Sequence, residues 1–174
     1  TLIGSDKMAR ISTIKPNDIA NGKGIVVSVW FQGCPFHCKG CHNPQTWDFN
    51  DGEEFTQEHI DKILDYIEVN DINRNLSILG GEPLCSPNIE GTLELCKAFK
   101  EKYPNKIIYL WTGYTLEDFN NMQLEVLNYI DVLIDGRFEI DKRDLSLKFK
   151  GSSNQRVIDV KKTLTRGKII LYKE

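Results

Sequence analysis

Cys34, Cys38 and Cys41 fall within eight residues, in the run Gln32-Gly33-Cys34-Pro35-Phe36-His37-Cys38-Lys39-Gly40-Cys41-His42-Asn43. Thiolates are soft, strongly donating ligands, and three at this spacing can close around one metal ion or cluster. Gly33, Pro35 and Gly40 suit a tight loop that turns its sulfurs inward. Structural zinc wants four ligands, commonly from two separated pairs. No second pair exists here, so His37, His42 or Cys85 would have to complete the shell. An electron-carrying iron–sulfur protein wants four cysteines per cluster. Only the isolated Cys85 and Cys96 remain, and Cys96 falls on the apolar side of a helical pattern, where a free cysteine is usually core. A four-iron cluster on three cysteines leaves one iron open, and an open position marks catalytic rather than structural metal sites. From spacing alone the open cluster, zinc and a plain reduced loop all stand.

A strand must deliver this loop. Ile25 to Phe31, bounded by Gly22, Gly24 and Gly33, is rich in β-branched and aromatic residues and predicts a buried strand. Thr56 can cap a helix whose apolar positions are Ile60, Ile63, Leu64 and Ile67. Leu76 to Leu79 predicts a second strand, closed by Gly80-Gly81. Ser86 and Pro87 predict a cap and first-turn proline for a helix presenting Ile89, Leu93, Cys96 and Phe99. A third strand is expected over 106–111, a helical stretch over 115–130 with a break near Asn120-Asn121, and a fourth strand over 131–135. Alternation of this kind implies βαβ units and a parallel sheet. The chain's 174 residues are too few for an eight-fold barrel of ~250. The expected fold is therefore α/β, an incomplete, open β/α barrel of parallel strands in a single domain over 10–174, with residues 1–9 as an N-terminal extension. Functional groups belong on the loops after the strands' C-terminal ends, where the cysteine loop and Gly80-Gly81-Glu82 both fall.

Composition narrows the function classes. Apolar residues make up 40% and charged residues 27%, enough for a packed core. The net charge of −3 argues against a dedicated nucleic-acid binder. The longest apolar run, 25–31, is far short of the ~20 residues that span a bilayer, and residues 1–10 carry no apolar signal-peptide segment. A soluble, cytoplasmic protein is expected, with no membrane or nucleic-acid partner. Residues 1–140 hold 12 basic and 21 acidic side chains, whereas 141–174 hold 10 and 4. This basic tail is either a solvated face or a docking surface for an anionic partner.

The C-x3-C-x2-C spacing, with Gly-Gly-Glu after the next strand, resembles the radical S-adenosylmethionine superfamily. Asn21-Gly22-Lys23-Gly24, Cys38-Lys39-Gly40-Cys41-His42-Asn43-Pro44 and Thr46-Trp47-Asp48 narrow the likeness. So do Gly80-Gly81-Glu82-Pro83-Leu84, Trp111-Thr112-Gly113-Tyr114, the run from Asp131 to Gly136, and the run from Lys148 to Arg156. Together they are similar to the activating proteins of anaerobic ribonucleoside-triphosphate reductase, which are glycyl-radical-enzyme activases, over residues 10 to 160.

The resemblance implies an oxidoreductase in which Cys34, Cys38 and Cys41 hold a 4Fe–4S cluster. S-adenosylmethionine chelates the open iron. An electron from the cluster breaks the sulfonium carbon–sulfur bond, and the resulting 5′-deoxyadenosyl radical takes a hydrogen from a glycine of the reductase. Gly80, Gly81 and Glu82 would receive the cofactor's ammonium group, through close backbone approach and a carboxylate acceptor. The adenine would rest around Gly40, Cys41 and His42; glycine at position 40 replaces the aromatic frequent elsewhere in the superfamily. Implied partners are the reductase, offering a glycine loop, and an electron donor such as flavodoxin. Two other readings remain at this point: an activase of another glycyl-radical enzyme such as pyruvate formate-lyase, and a non-catalytic zinc or iron–sulfur binding module.

Overall fold

A computed structural model describes residues 8–173. Seven strands form one sheet: β1 (Arg10–Asp18), β2 (Ile25–Gln32), β3 (Glu53–Glu54), β4 (Arg74–Gly80), β5 (Ile108–Trp111), β6 (Val132–Asp135) and β7 (Arg156–Asp159). Their spatial order is β3-β1-β2-β4-β5-β6-β7, an open sheet whose β7 edge is covered by residues 170–172. Four helices accompany them: α1 (Gln57–Glu68), α2 (Ile89–Lys102), α3 (Asn121–Leu127) and α4 (Val160–Arg166).

The centre of the sheet follows the sequence pattern. β2, β4, β5 and β6 run parallel, and α1, α2 and α3 form the crossovers between them. The expectation of an all-parallel sheet needs correction, because β1, β3 and β7 pair antiparallel. β1 escapes a pattern search since its sequence holds Lys15, Pro16 and Asn17 and it buries little beyond Ile11 and Asp18. β7 has only four residues, too few to show a period. The predicted Ser86–Pro87 cap is also displaced: both lie in a turn closed by the Asn88 N–H donating to the Cys85 carbonyl (2.9 Å), and α2 starts at Ile89. At α1 the expected cap is present as a box, Thr56 with the side chain of His59 in the third position. The break at Asn120 is real too, since its side chain accepts from Gln123 N–H and starts α3.

Successive side chains of a strand point to opposite faces, and here the two faces serve different ends. Val27, Val29, Phe31, Leu76, Ile78, Ile108, Leu110 and Leu133 pack with Ile60, Ile63, Ile67, Leu93, Cys96, Phe99 and Val126 of the helices in the main core. Val26, Tyr109, Val132 and Ile134 form a second cluster on the other face, joined by Trp111 and Phe149. Trp30, Leu79 and Trp111 are on this second face and line an open cavity of about 440 Å³ near the C-terminal strand ends. The helices therefore occupy one side and the cavity the other.

Residues 1–7 of the expected N-terminal extension lie outside the described residues. Ala9, its last residue, is buried, and its carbonyl accepts from the Phe55 N–H (2.8 Å). Among the described residues, no helix is long and apolar enough to cross a membrane.

Candidate metal centre

The loop after β2 is clasped by its neighbours. Gly33 and Cys34 donate N–H groups to the carbonyls of Thr46 (2.7 Å) and Trp47 (3.2 Å). The Gln32 side-chain amide donates to the carbonyls of Gln45 and Asp48, fixing the far end of the loop. The Cys41 N–H closes a turn on the Cys38 carbonyl (3.0 Å). Gly40 has φ +74°, and a Cβ there would lie 2.6 Å from Ile140, so backbone and space together demand glycine. The Phe36 ring, between the first two cysteines, sits on Gly113 and meets Tyr114 edge-on at 4.8 Å.

Cys34, Cys38 and Cys41 all line the one cavity, together with His42, Gly80, Gly81, Glu82, Thr112, Gly113 and Arg137. Of the sequence-predicted site residues, all but Gly40, which packs against Ile140, are thus brought together on the cavity wall. The Asn43 N–H donates to the Cys41 sulfur (3.4 Å), and the backbone N–H groups of Phe36 and His37 near Cys34, and of Phe138 near Cys38, favour the thiolates. Burial, with Glu82 and Cys38 nearby, pushes the Cys34 thiol up to about 11. Burial raises Cys38 as well, and Cys41 adds to it. Thiols held protonated this way ionise when a cation arrives, so metal uptake releases protons.

Among the described residues, no three His, Cys, Asp or Glu side chains converge as donors to one metal ion. Three soft thiols on one cavity wall are the donor chemistry that an iron–sulfur cluster takes. The candidate fourth ligands are engaged elsewhere. His37 stacks on Trp47 at 4.6 Å, and His42 meets Phe138 edge-on at 5.1 Å. Cys85 donates its buried S–H to the Glu82 carbonyl (3.1 Å), and burial lifts its thiol to about 12. Cys96 is core, as its helical position implies.

The Gly-Gly-Glu turn lies flat against the base of the cysteine loop. A Cβ on Gly81 would come 2.4 Å from the Gly33 carbonyl oxygen and 2.7 Å from that of Thr46. The Gly81 and Glu82 N–H groups donate to the carbonyls of Phe31 (2.9 Å) and Gly33 (2.8 Å). Glu82 itself turns inward, only 1% exposed, and its carboxylate accepts from Leu84 N–H (2.9 Å), Thr112 O–H (2.7 Å) and Gly113 N–H (2.7 Å). Burial pushes its acid up to about 7 despite those three donors. In this arrangement Glu82 ties the loops after β4 and β5 together, and one carboxylate lone pair remains for a ligand.

Several residues that build the site carried no clear signal. Asn88 is buried and donates to the carbonyls of Gln32 and Glu82, binding the two loops from beneath. Gln155 accepts from the N–H groups of Gly151 and Ser152 and donates to the Gly136 carbonyl (2.9 Å), folding the 151–155 run into a brace for the loop after β6. Arg156 forks onto buried Asp135 (2.6 Å) and onto Glu117 (2.6 Å), which holds its guanidinium firmly charged. The polar run from Lys150 to Arg156 is thereby accounted for as architecture around the cavity rim.

Comparison with known proteins agrees with this geometry. Residues 20–158 match the family model described as a 4Fe-4S single cluster domain. Proteins named anaerobic ribonucleoside-triphosphate reductase-activating protein are similar to most of the chain. That of Vibrio cholerae is 41% identical over 141 residues, covering 80% of this chain and 91% of its own. Those of Escherichia coli K12 and of phage T4 are 40% and 38% identical, covering 80% and 83% of this chain and 92% and 90% of theirs.

Proposed function

From the premise that the chain belongs to the family of anaerobic ribonucleoside-triphosphate reductase-activating proteins, with a 4Fe–4S single cluster domain, we propose that it generates a glycyl radical on that reductase. Cys34, Cys38 and Cys41 would hold the cluster and leave one iron for S-adenosylmethionine. When bound, these groups supply the low-potential electron and the carbon-centred radical that no side chain can provide. The observation that carries the reading is the convergence of three cysteines, and no fourth, on the cavity that the Gly-Gly-Glu turn also lines.

The chain's own residues bind, orient and exclude water. Backbone N–H groups of Phe36, His37 and Phe138 stabilise negative charge on the ligating sulfurs. Gly80 and Gly81 bring main chain rather than side chain to the cavity wall, as an ammonium-bearing ligand needs. Glu82, anchored by three donors, offers its remaining lone pair to that ammonium group. Cys41 and His42, with Gly40 turning the loop behind them, give the side against which an adenine would lie. Trp30 and Trp111 give the cavity a dry apolar wall.

The sheet supports an incomplete-barrel reading of the radical S-adenosylmethionine type, with helices outside and cavity inside. The cavity is open, and a backbone loop centred on glycine is narrow enough to enter it. All five cysteines are free thiols, the state a reducing cytoplasm maintains. The basic tail suits an acidic electron donor such as flavodoxin.

The test is anaerobic incubation of the reconstituted chain with the reductase, S-adenosylmethionine and a reductant, read by electron paramagnetic resonance. A glycyl radical on the reductase is expected. Radical formation on pyruvate formate-lyase but not on the reductase would overturn the assignment of partner.

A further inference from the structure

We propose that Arg137 sets how readily the metal centre on Cys34, Cys38 and Cys41 accepts an electron, an inference that rests on the iron–sulfur reading above. Arg137 stands two residues beyond β6, and its guanidinium carbon lies 4.4 Å from the Phe36 ring centroid. Phe36 belongs to the ligand loop itself, and its ring is wedged on Gly113, so the cation rides on a fixed platform between two cluster ligands. The backbone on either side is equally fixed. Gln155 donates to the Gly136 carbonyl (2.9 Å) and Asn154 to the Arg137 carbonyl (2.8 Å). The next residue, Phe138, lines the same cavity as the cysteines.

Arg137 and Lys150 are the basic side chains of the cavity wall; Lys150 is tied to the Gln155 carbonyl (3.0 Å), whereas Arg137 rides on the ligand loop through Phe36. Arg156 is spent on Asp135 and Glu117, Lys142 on Glu139, and Lys161 on Asp131. Among the described residues no carboxylate pairs with Arg137, while it lines the same cavity as the three cysteines. Asp144 is the other acidic residue on that wall besides Glu82. Reduction adds one negative charge to a thiolate-bound cluster. A nearby fixed cation stabilises the reduced form more than the oxidised one and raises the reduction potential. Arg137 is exposed, so solvent and salt temper the effect.

The experiment uses the full chain, reconstituted anaerobically without S-adenosylmethionine or reductase, in a redox titration followed by electron paramagnetic resonance. At the wild-type midpoint, Arg137→Gln is expected to lower the reduced-to-oxidised ratio about three- to tenfold, tenfold being 59 mV for one electron. Arg137→Lys keeps the charge and should stay within about twofold. Phe36→Leu keeps the charge but frees it, and should shift the ratio in the same direction as Arg137→Gln by less. Arg143→Gln, an exposed cation on the same segment, should leave it unchanged. If Arg137→Gln assembles poorly, the comparison of Phe36→Leu with Arg137→Lys decides. An Arg137→Gln protein with wild-type iron content and wild-type potential would overturn the inference. So would unchanged potential with weakened S-adenosylmethionine binding, which would make Arg137 a ligand-binding residue instead. A wild-type chain that takes up no iron would overturn the proposed function and this inference with it.

Discussion

Replacing Glu82 by Gln separates the two forces acting on the most deeply buried acid of the cavity. Desolvation opposes its charge, while Leu84 N–H, Thr112 O–H and Gly113 N–H favour it. The balance raises the folded acid from 4.5 to about 7. At 1.36 kcal/mol per pH unit, that rise is worth about 3 kcal/mol. The folded state then binds more protons than the unfolded state between pH 4.5 and 7. Glu82's contribution is therefore fully present below about pH 4.5 and is lost as pH rises through about 7. Gln has no such titration, and it leaves one of the three donors facing an amide N–H, which costs about 1–3 kcal/mol at any pH. The assay is anaerobic urea unfolding of the reduced, metal-free wild-type and Glu82→Gln proteins from pH 5 to pH 8. Other titrating groups cancel in the difference. The wild type should lead by more at pH 5 than at pH 8, the gap closing by about 2–3 kcal/mol. A gap that widens with rising pH would show that the three donors outweigh burial and would refute the reasoning.

Other consequences are equally direct. Gly81→Ala would push a Cβ into the Gly33 and Thr46 carbonyls at 2.4 and 2.7 Å; a loss of about 2–3 kcal/mol in urea unfolding and reduced iron uptake are expected. Gly24→Ala, at φ +71° with open space around it, should cost only about 1 kcal/mol and leave iron uptake intact. Arg156→Leu strands Asp135, which is 1% exposed, and should destabilise the fold by about 2–4 kcal/mol, whereas Glu117→Gln, at the exposed arm of the same fork, should cost under about 0.5 kcal/mol. Replacing Lys161, Lys162 and Arg166 together with Ser should slow reductase activation about three- to tenfold at low salt and much less at high salt. Equal rates at both salt concentrations would mean that the basic tail steers no partner.

The central strands and the cysteine loop were legible because both are written locally. Val26 to Phe31 is buried on both faces and reads as one apolar run; Thr56 and Asn120 announce helix starts through their own side chains. The cysteine spacing and the paired glycines are likewise properties of short segments. What stayed hidden depends on contacts between distant segments. β1 is half exposed and interrupted by Pro16, so its place beside β2 follows from pairing and not from periodicity. Asn88 looks like a turn residue, yet its amide spans to the Gln32 carbonyl 56 positions away. Glu82 reads as a carboxylate on the cavity, but its anchoring by Thr112 and Gly113, 30 and 31 positions away, is invisible in the sequence. Arg137 is one charge after a strand end, and only the stacking on Phe36 shows where that charge is held.

The central claim is that three sulfurs hold the cluster and leave one iron to bind S-adenosylmethionine. Its most direct test is the electron paramagnetic resonance spectrum of the reduced, anaerobically reconstituted chain before and after adding that molecule, with iron counted in parallel. The account predicts about four irons per chain, a spectrum that changes on addition, and loss of both in Cys34→Ala, Cys38→Ala and Cys41→Ala, with Cys85→Ala unaffected. A colourless protein carrying one zinc, or a cluster whose spectrum ignores S-adenosylmethionine, would contradict it.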